Sequence, residues 1–196
     1  MSGGGIASAA SRKLCTLLLL RDLPSKSILL GLKKKGFGEG KLNGFGGKVE
    51  PGETLARAAL REMEEESGVV VAPADLLHVG FLNFIFAGRE GEELHVHVFS
   101  AHAHSGEPRE SDEMSPQWVP EAAIPFERMW ADDAHWFPLL LAGKRFSGSF
   151  FFSGHSIITK FELSEVTGQE RVCPYVEDVG VVLIPPGGKA QGAIDL

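Results

Sequence analysis

Residues 47–69 read GKVEPGETLARAALREMEEESGV, and the order of local signals in this stretch decides the fold. Pro51 and Gly52 make a turn, Thr54 offers an N-cap hydroxyl, alanine and leucine fill the next turns, and Gly68 can take the left-handed conformation that ends a helix. The spacing predicts a helix over residues 54–67. On a wheel of about 3.6 residues per turn, Leu55, Ala56, Ala59, Leu60 and Met63 share one apolar face. Glu62 and Glu66 are four residues apart and Glu65 is a turn-neighbour of Glu62, so packing the apolar face draws three carboxylates inward. Like charges at this spacing repel by roughly a few tenths of a kcal/mol in water and by more once partly desolvated. With no lysine or arginine read at their i+4 partners, the stretch calls for an outside counter-charge. A hard divalent cation such as Mg²⁺ fits, because it takes oxygen ligands, keeps several waters and bridges to phosphate oxygens. The competing reading is a solvated acidic helix face.

Working outward, residues 14–20 and 27–33 are short aliphatic segments flanking the polar, proline-containing stretch 21–26, which predicts two strands and a loop. Glycines at 36, 38, 40, 44, 46 and 47 then impose a loop or bent strand, held by Phe37, Leu42 and Phe45. Downstream, 69–71 starts something extended, 76–86 and 94–102 read as longer strands, and 117–119 as a short one. Trp130, Trp136 and Phe137 mark an aromatic segment over 129–141, where Asp132 or Asp133 caps a second helix reaching Leu141. Residues 146–152 and 157–163, joined near Gly154, resemble a closing hairpin. Strands around helices without strict alternation give an α+β, layered domain over 13–166. Residues 1–12 read as a flexible leader without the basic start and apolar block of a secretory signal. Residues 167–196 read as a tail whose apolar patch 179–184 is a candidate docking strand.

The 196 residues, 43% hydrophobic and 23% charged, suit one globular domain, and no apolar run approaches the roughly 18 residues of a membrane span. Nineteen basic against 26 acidic side chains give a net charge of -7, the wrong sign for holding polymeric nucleic acid. Cys15 and Cys173 are too few and too far apart for a disulfide framework, which points to a reducing compartment. His95 with His97, and His102 with His104, are i,i+2 pairs without a third ligand at zinc-site spacing. They read as exposed strand histidines.

The opening stretch also resembles the Nudix box, G-x5-E-x7-R-E-U-x-E-E-x-G-U with U aliphatic. Gly47, Glu53, Arg61, Glu62, Met63, Glu65, Glu66, Gly68 and Val69 fill every fixed position, a chance match of order one in a million or rarer. The resemblance implies a Nudix fold, an α/β/α sandwich with mixed β-sheet, and Mg²⁺-dependent cleavage of a nucleoside diphosphate linked to another group. It assigns Glu62, Glu65 and Glu66 to metal binding and water activation, adds the Gly47 carbonyl as an extra ligand, and makes Arg61 and Glu53 a bracing ion pair.

The flanks narrow the resemblance. GFGEGKLNGFGGKVEPGE at 36–53, VHVF at 96–99, ESDEM at 110–114 and IPFERMWADDAHWFPLLL at 124–141 are similar to the animal Nudix enzymes that act on oxidised purine nucleoside triphosphates, over about residues 14–166. A purine edge needs donors and acceptors in an aromatic slot, and Asn43, Trp130, Asp132 and Asp133 offer them. Two adjacent buried carboxylates share a proton, so one donates while the other accepts, which suits both 8-oxoguanine and 2-hydroxyadenine. Simple N-capping by the aspartates, with Trp130 as core, is the alternative. The resemblance further implies Phe37, Phe84, Phe86, Met114 and Trp136 as pocket lining, Thr16 and Lys33 at its mouth, Phe45, Gly46, Gly47 and Lys48 as substrate-binding, and Glu113 as an added metal ligand or base. Leu42 stands where those enzymes carry tryptophan. The expected activity is hydrolysis to monophosphate and pyrophosphate that sanitises the nucleotide pool. Mg²⁺ is the expected cofactor and a small nucleoside triphosphate the partner, with neither polymeric nucleic acid nor membrane bound. The expected form is a monomer in the cytoplasm, with a nuclear or mitochondrial pool as alternatives. The rival functions are hydrolysis of another nucleoside diphosphate derivative and non-catalytic nucleotide sensing.

Overall fold

The leucine run at 17–20 is uninterrupted because its strand is covered on both faces. Leu17 and Leu19 enter one apolar cluster and Leu18 and Leu20 the opposite one. The computed structural model describes residues 11–89, 92–168 and 172–173. In chain order these form β1 (Ser11–Asp22), β2 (Ser27–Lys33), β3 (Leu42–Asn43), α1 (Leu55–Ser67), β4 (Leu77–Phe86), β5 (Glu92–Ala101), β6 (Met114–Pro120), α2 (Asp133–Leu141), β7 (Arg145–Ser153) and β8 (Ile157–Val166). The sheet order is β3-β2-β1-β5-β4-β7-β8, with β6 also paired to β2. Its β1–β5 and β4–β7 pairs are parallel and the rest antiparallel, so the sheet is mixed as expected.

Helix α1 covers one face, packing Leu55, Ala56, Ala59 and Met63 against Leu18, Leu20, Leu29, Phe45 and Phe99. Helix α2 covers the other, setting Trp136, Phe137 and Leu140 against Leu17, Leu19, Leu82, Phe146 and Phe150. This is the anticipated α/β/α layering. The Thr54 hydroxyl accepts from the Arg57 amide, and Gly68, at φ 72°, sends its N–H to the Glu64 carbonyl, so both ends of α1 are capped as the sequence predicts. Asp132 precedes α2 but makes no capping hydrogen bond with its side chain.

Strand β1 pairs with β2 over Leu20–Asp22, and before Leu20 the segment leading to α1 lies beside it through bridges Leu18↔Phe45 and Cys15↔Lys48. A side chain at Gly46 would collide with the Thr16 carbonyl, so glycine there permits the close backbone approach. This juxtaposition brings β1 and the Gly46–Gly47 backbone under the acidic edge of α1.

Two readings need correction. His95 and His97 are buried, not exposed, because they lie on the α1-side face of β5, where Phe81 packs on both rings. His97 Nδ1 stands 3.2 Å from His78 Nε2, and burial holds His97 down at about 3 and His78 at about 4, so both are neutral at pH 7. Of the two pairs, His102 and His104 are the exposed one. The strand at the start of the chain begins at Ser11, inside the stretch read as leader. Residues 1–10 and the apolar patch 179–184 lie outside the described residues. Val172 and Cys173 are described and pack on Phe81. Among the described residues no helix is long and apolar enough to cross a membrane.

Arg21 ties the end of β1 to the end of α2. Its Nε donates to Glu121 Oε1 at 2.7 Å, and Nη1 and Nη2 donate to the Leu140 and Leu141 carbonyls at 3.0 Å each. Those carbonyls lie in the last turn, where intrahelical partners run out. Arg21→Ala is expected to cost about 3 kcal/mol in urea unfolding, since it leaves the half-buried Glu121 carboxylate without its cation and takes a donor from the Leu141 carbonyl. A loss below about 1 kcal/mol would mean that water replaces the guanidinium.

Candidate active site

The apolar stripe of α1 carries Glu66 into the seam between helix and sheet, leaving it 4% exposed. One of its oxygens accepts from Lys33 Nζ at 3.1 Å and the other from the Gly46 amide at 3.0 Å. The same Lys33 ammonium reaches Glu113 Oε2 at 3.0 Å, which joins the loop before β6 to the helix. One turn back, the guanidinium of Arg61 takes both oxygens of Glu53 at 3.0 and 3.1 Å. Its Nη1 also donates to Glu62 at 2.9 Å and Glu65 at 3.0 Å. The expected Glu53–Arg61 brace is therefore present. The statement that α1 lacks a helical counter-charge is overturned: Arg61 is the i,i+4 partner of Glu65, and Lys33 arrives from β2.

Burial still pushes the Glu62 and Glu66 carboxyls up from the usual range, against the pull of Arg61 and Lys33. Glu113 is half exposed and is held below that range by its hydrogen bond to Lys33. A side chain at Gly47 would run into the Glu62 carboxylate, so glycine lets that group approach the backbone. The Gly47 carbonyl accepts from the Thr16 amide at 2.9 Å. Glu62, Glu65, Glu66, Glu113 and the Gly47 carbonyl could each offer oxygen, the donor a hard divalent cation prefers. Among the described residues no three acidic, histidine or cysteine groups form a closed metal cage, because Lys33 and Arg61 divide the carboxylates between them.

Beside this edge lies a cavity of about 220 Å³ on the α2 side of the sheet. Thr16, Lys33, Asn43, Gly46, Gly47, Phe84, Trp130, Asp132 and Asp133 all line it, as do Phe37, Phe86, Met114 and Trp136. Thr16 sits buried in its wall, its hydroxyl oxygen without a protein partner. Phe45 and Lys48 are not in the lining. Phe45 pairs with Leu18 and so points to the α1-side core, while exposed Lys48 offers only its backbone carbonyl to Arg61. Leu42 is core as well. Sequence reasoning missed Lys41, Cys15, Phe152 and His155 as lining. No local signal marks His155, which reaches the mouth from the β7–β8 turn and lies 5.4 Å from the Phe37 ring.

Asp132 Oδ2 accepts from Trp136 Nε1 at 3.0 Å and Asp133 Oδ2 from the Trp130 amide at 2.8 Å. Neither caps α2, and half-buried Trp130 stacks on Phe37 at 4.8 Å instead of filling core. Burial pushes both carboxyls up, Asp133 well above its ordinary value, with the charge of Asp132 adding to the effect. The pair therefore retains a proton into the range where lone aspartates are ionised. An acid with a raised native pKa loses stability as pH climbs from its unfolded value of about 3.9. Asp133→Asn keeps an acceptor for the Trp130 amide and removes the charge, so it should raise the melting temperature at pH 8 and by clearly less at pH 5. Equal shifts at both pH values would show that this carboxyl is already ionised at pH 5 in the folded protein.

The NUDIX domain model matches residues 12–140. An oxidized purine nucleoside triphosphate hydrolase of Danio rerio is 54% identical over 155 residues, which cover 79% of this chain and 96% of that protein. The Mus musculus protein of the same name is 48% identical over 158 residues, 80% of this chain and 97% of that one. In fold, the chain is similar to a MutT protein from Bacillus halodurans, with a TM-score of 0.67 and 24% identity over 77% of this chain and 97% of that one. A MutT NUDIX hydrolase from Burkholderia pseudomallei, 28% identical, aligns with a TM-score of 0.52 over 59% of this chain and 88% of that one. The box that fixes α1, the mixed sheet it packs on and these matches agree, and the chain belongs to the Nudix hydrolase family.

Proposed function

We propose that this chain hydrolyses oxidised purine nucleoside triphosphates, 8-oxo-dGTP and 2-hydroxy-dATP among them, to the monophosphate and pyrophosphate. The observation that carries this reading is a single cavity with two chemically different ends. Lys33, Gly46 and Gly47 join it to the acidic edge of α1, while Asn43, Trp130, Asp132 and Asp133 furnish a purine-sized slot. The names of the two curated relatives support the same substrate class.

Nudix hydrolases generally use a divalent cation such as Mg²⁺. Here Glu62, Glu65, Glu66, Glu113 and the Gly47 carbonyl would hold it. When bound, it would supply counter-charge to the phosphates and lower the pKa of the attacking water. The Lys33 ammonium, already seated between Glu66 and Glu113, adds fixed positive charge at the phosphate end. The buried Thr16 hydroxyl offers a hydrogen bond that no protein group uses. Glu113 keeps its charge at neutral pH and suits a ligand or an acceptor of the water's proton. At the base end, the protonated member of the aspartate pair donates and the ionised one accepts. Exchanging those roles matches two different oxidised purine edges.

One chain supplies both ends of the site, and we read the working form as a monomer. The domain runs from Ser11, where β1 begins, to Val166 at the end of β8, and beyond it Val172 and Cys173 pack on Phe81.

The test is product analysis with purified protein and Mg²⁺, comparing kcat/KM for 8-oxo-dGTP, 2-hydroxy-dATP, dGTP and diadenosine polyphosphates. Monophosphate plus pyrophosphate with strong preference for an oxidised purine is the expected result. Efficient cleavage only of another diphosphate, or tight binding without turnover, would overturn it. Glu66→Gln should lower kcat by roughly a thousandfold or more while the protein stays folded, and near-native turnover would remove Glu66 from the machinery. Asp132→Asn should alter the ratio of kcat/KM between the two oxidised purines more than it alters turnover of dGTP. Equal losses for all three nucleotides would make Asp132 structural.

A further inference from the structure

Lys41 precedes β3 at the end of a loop in which Gly36, Gly38 and Gly40 take left-handed φ values. Its backbone is fixed, since its N–H donates to the Gly38 carbonyl at 3.0 Å and its carbonyl accepts from the Lys33 amide at 2.9 Å. The side chain crosses the cavity wall, where Nζ donates to the Met129 carbonyl at 2.9 Å and stands 5.1 Å from the centroid of the Trp130 ring. That carbonyl and the Trp130 N–H belong to one peptide unit, and the N–H donates to Asp133 at 2.8 Å. An ammonium and a buried carboxylate thus sit at opposite ends of one peptide dipole, each strengthening the hydrogen bond at the other end.

Asp132 accepts from the Trp136 indole N–H and Asp133 from the Trp130 amide, and against burial the charge of Lys41 favours the ionised form of both, with that of His135 acting on Asp132 and that of Asp132 opposing Asp133. Lys41 is the cation common to both. In a half-buried setting such a charge acts more strongly than at an open surface. The contact with the Trp130 face adds roughly 0.5–1 kcal/mol of cation–π attraction, which pins the ring that flanks the slot.

We propose that Lys41 is a positioning residue that determines base specificity: through the Met129–Trp130 peptide it fixes the Trp130 ring and keeps the Asp132–Asp133 pair at one shared negative charge. This rests on reading the cavity as the purine site, but its first test needs no substrate. Carboxyl carbon resonances of Asp132 and Asp133 would be followed by NMR from pH 4 to 9 in the full chain and in its Lys41→Met and Lys41→Arg variants. Removing the cation should raise the midpoint of the pair's first ionisation by about one pH unit. Lys41→Arg, which keeps charge and donor, should restore most of it. With substrates, Lys41→Met should change the ratio of kcat/KM for 8-oxo-dGTP over 2-hydroxy-dATP by up to about tenfold, the proton partition that one pH unit represents. The pH profile of that ratio should move to higher pH, and Lys41→Arg should return it. An unmoved midpoint in Lys41→Met, or the same shift in both variants, would overturn the role of Lys41. A wild-type protein inactive on both oxidised nucleotides would instead overturn the purine reading.

Discussion

The whole arrangement depends on how Glu66 is buried. A helix whose apolar stripe runs into an acidic edge can pack on a sheet only if that edge meets compensating groups as it leaves water. Glu66 meets two, the Lys33 ammonium and the Gly46 amide, and each comes from a different strand-like segment beside β1 or β2. The close approach of residues 45–48 to β1 is therefore part of the same solution as the helix itself. It explains why glycines at 46 and 47 coincide with carboxylates at 62 and 66. Arg61 performs the matching service on the outer side, collecting Glu53, Glu62 and Glu65 on one guanidinium. Helix, loop and sheet are locked by charge pairs that also lie where phosphates and a cation would compete for the same oxygens.

The two ends of the cavity use opposite electrostatic strategies. At the α1 end several carboxylates stay close to two cations and to solvent, so charge is plentiful and exchangeable. At the α2 end two carboxylates are sealed among aromatic rings and answered mainly by amide, indole and one ammonium, so charge is scarce and protons are retained. The first setting suits an anionic chain of phosphates, and the second suits a neutral heterocycle whose edge must be read by donors and acceptors.

Much of this was legible in the sequence. The helix over residues 54–67, both of its caps, the Glu53–Arg61 brace and the mixed, two-helix layering follow from local signals and the box spacing. What escaped has a common cause. Phe45 has the right place in the motif but turns away from the cavity, because its pairing with Leu18 sets it on the α1-side face, and Lys48 is exposed outside the lining. Strand β6 is longer than 117–119 since Pro116 and Pro120 sit on an edge strand that needs no donor on one side. His95 and His97 read as exposed because nothing local says that Phe81 and its neighbours cover that half of the face. Lys41 and His155 reach the cavity across long sequence separations, and the bridge from Lys41 to Asp133 is a backbone peptide that no residue type encodes.

The neutral histidines sit on the α1-side face of β4 and β5, the protonated aspartates at the start of α2 on the other side of the sheet, and their proton balances run in opposite directions. His78 and His97 bind protons more readily once the chain unfolds, so the fold weakens as pH falls below about 6.5 towards their native values. The aspartate pair releases protons more readily on unfolding, so it weakens the fold as pH rises. One sheet thus carries an acid limit on one face and an alkaline limit on the other. Its native state is confined to a band of pH whose lower wall is the core that flanks Val172 and Cys173, and whose upper wall is the slot itself.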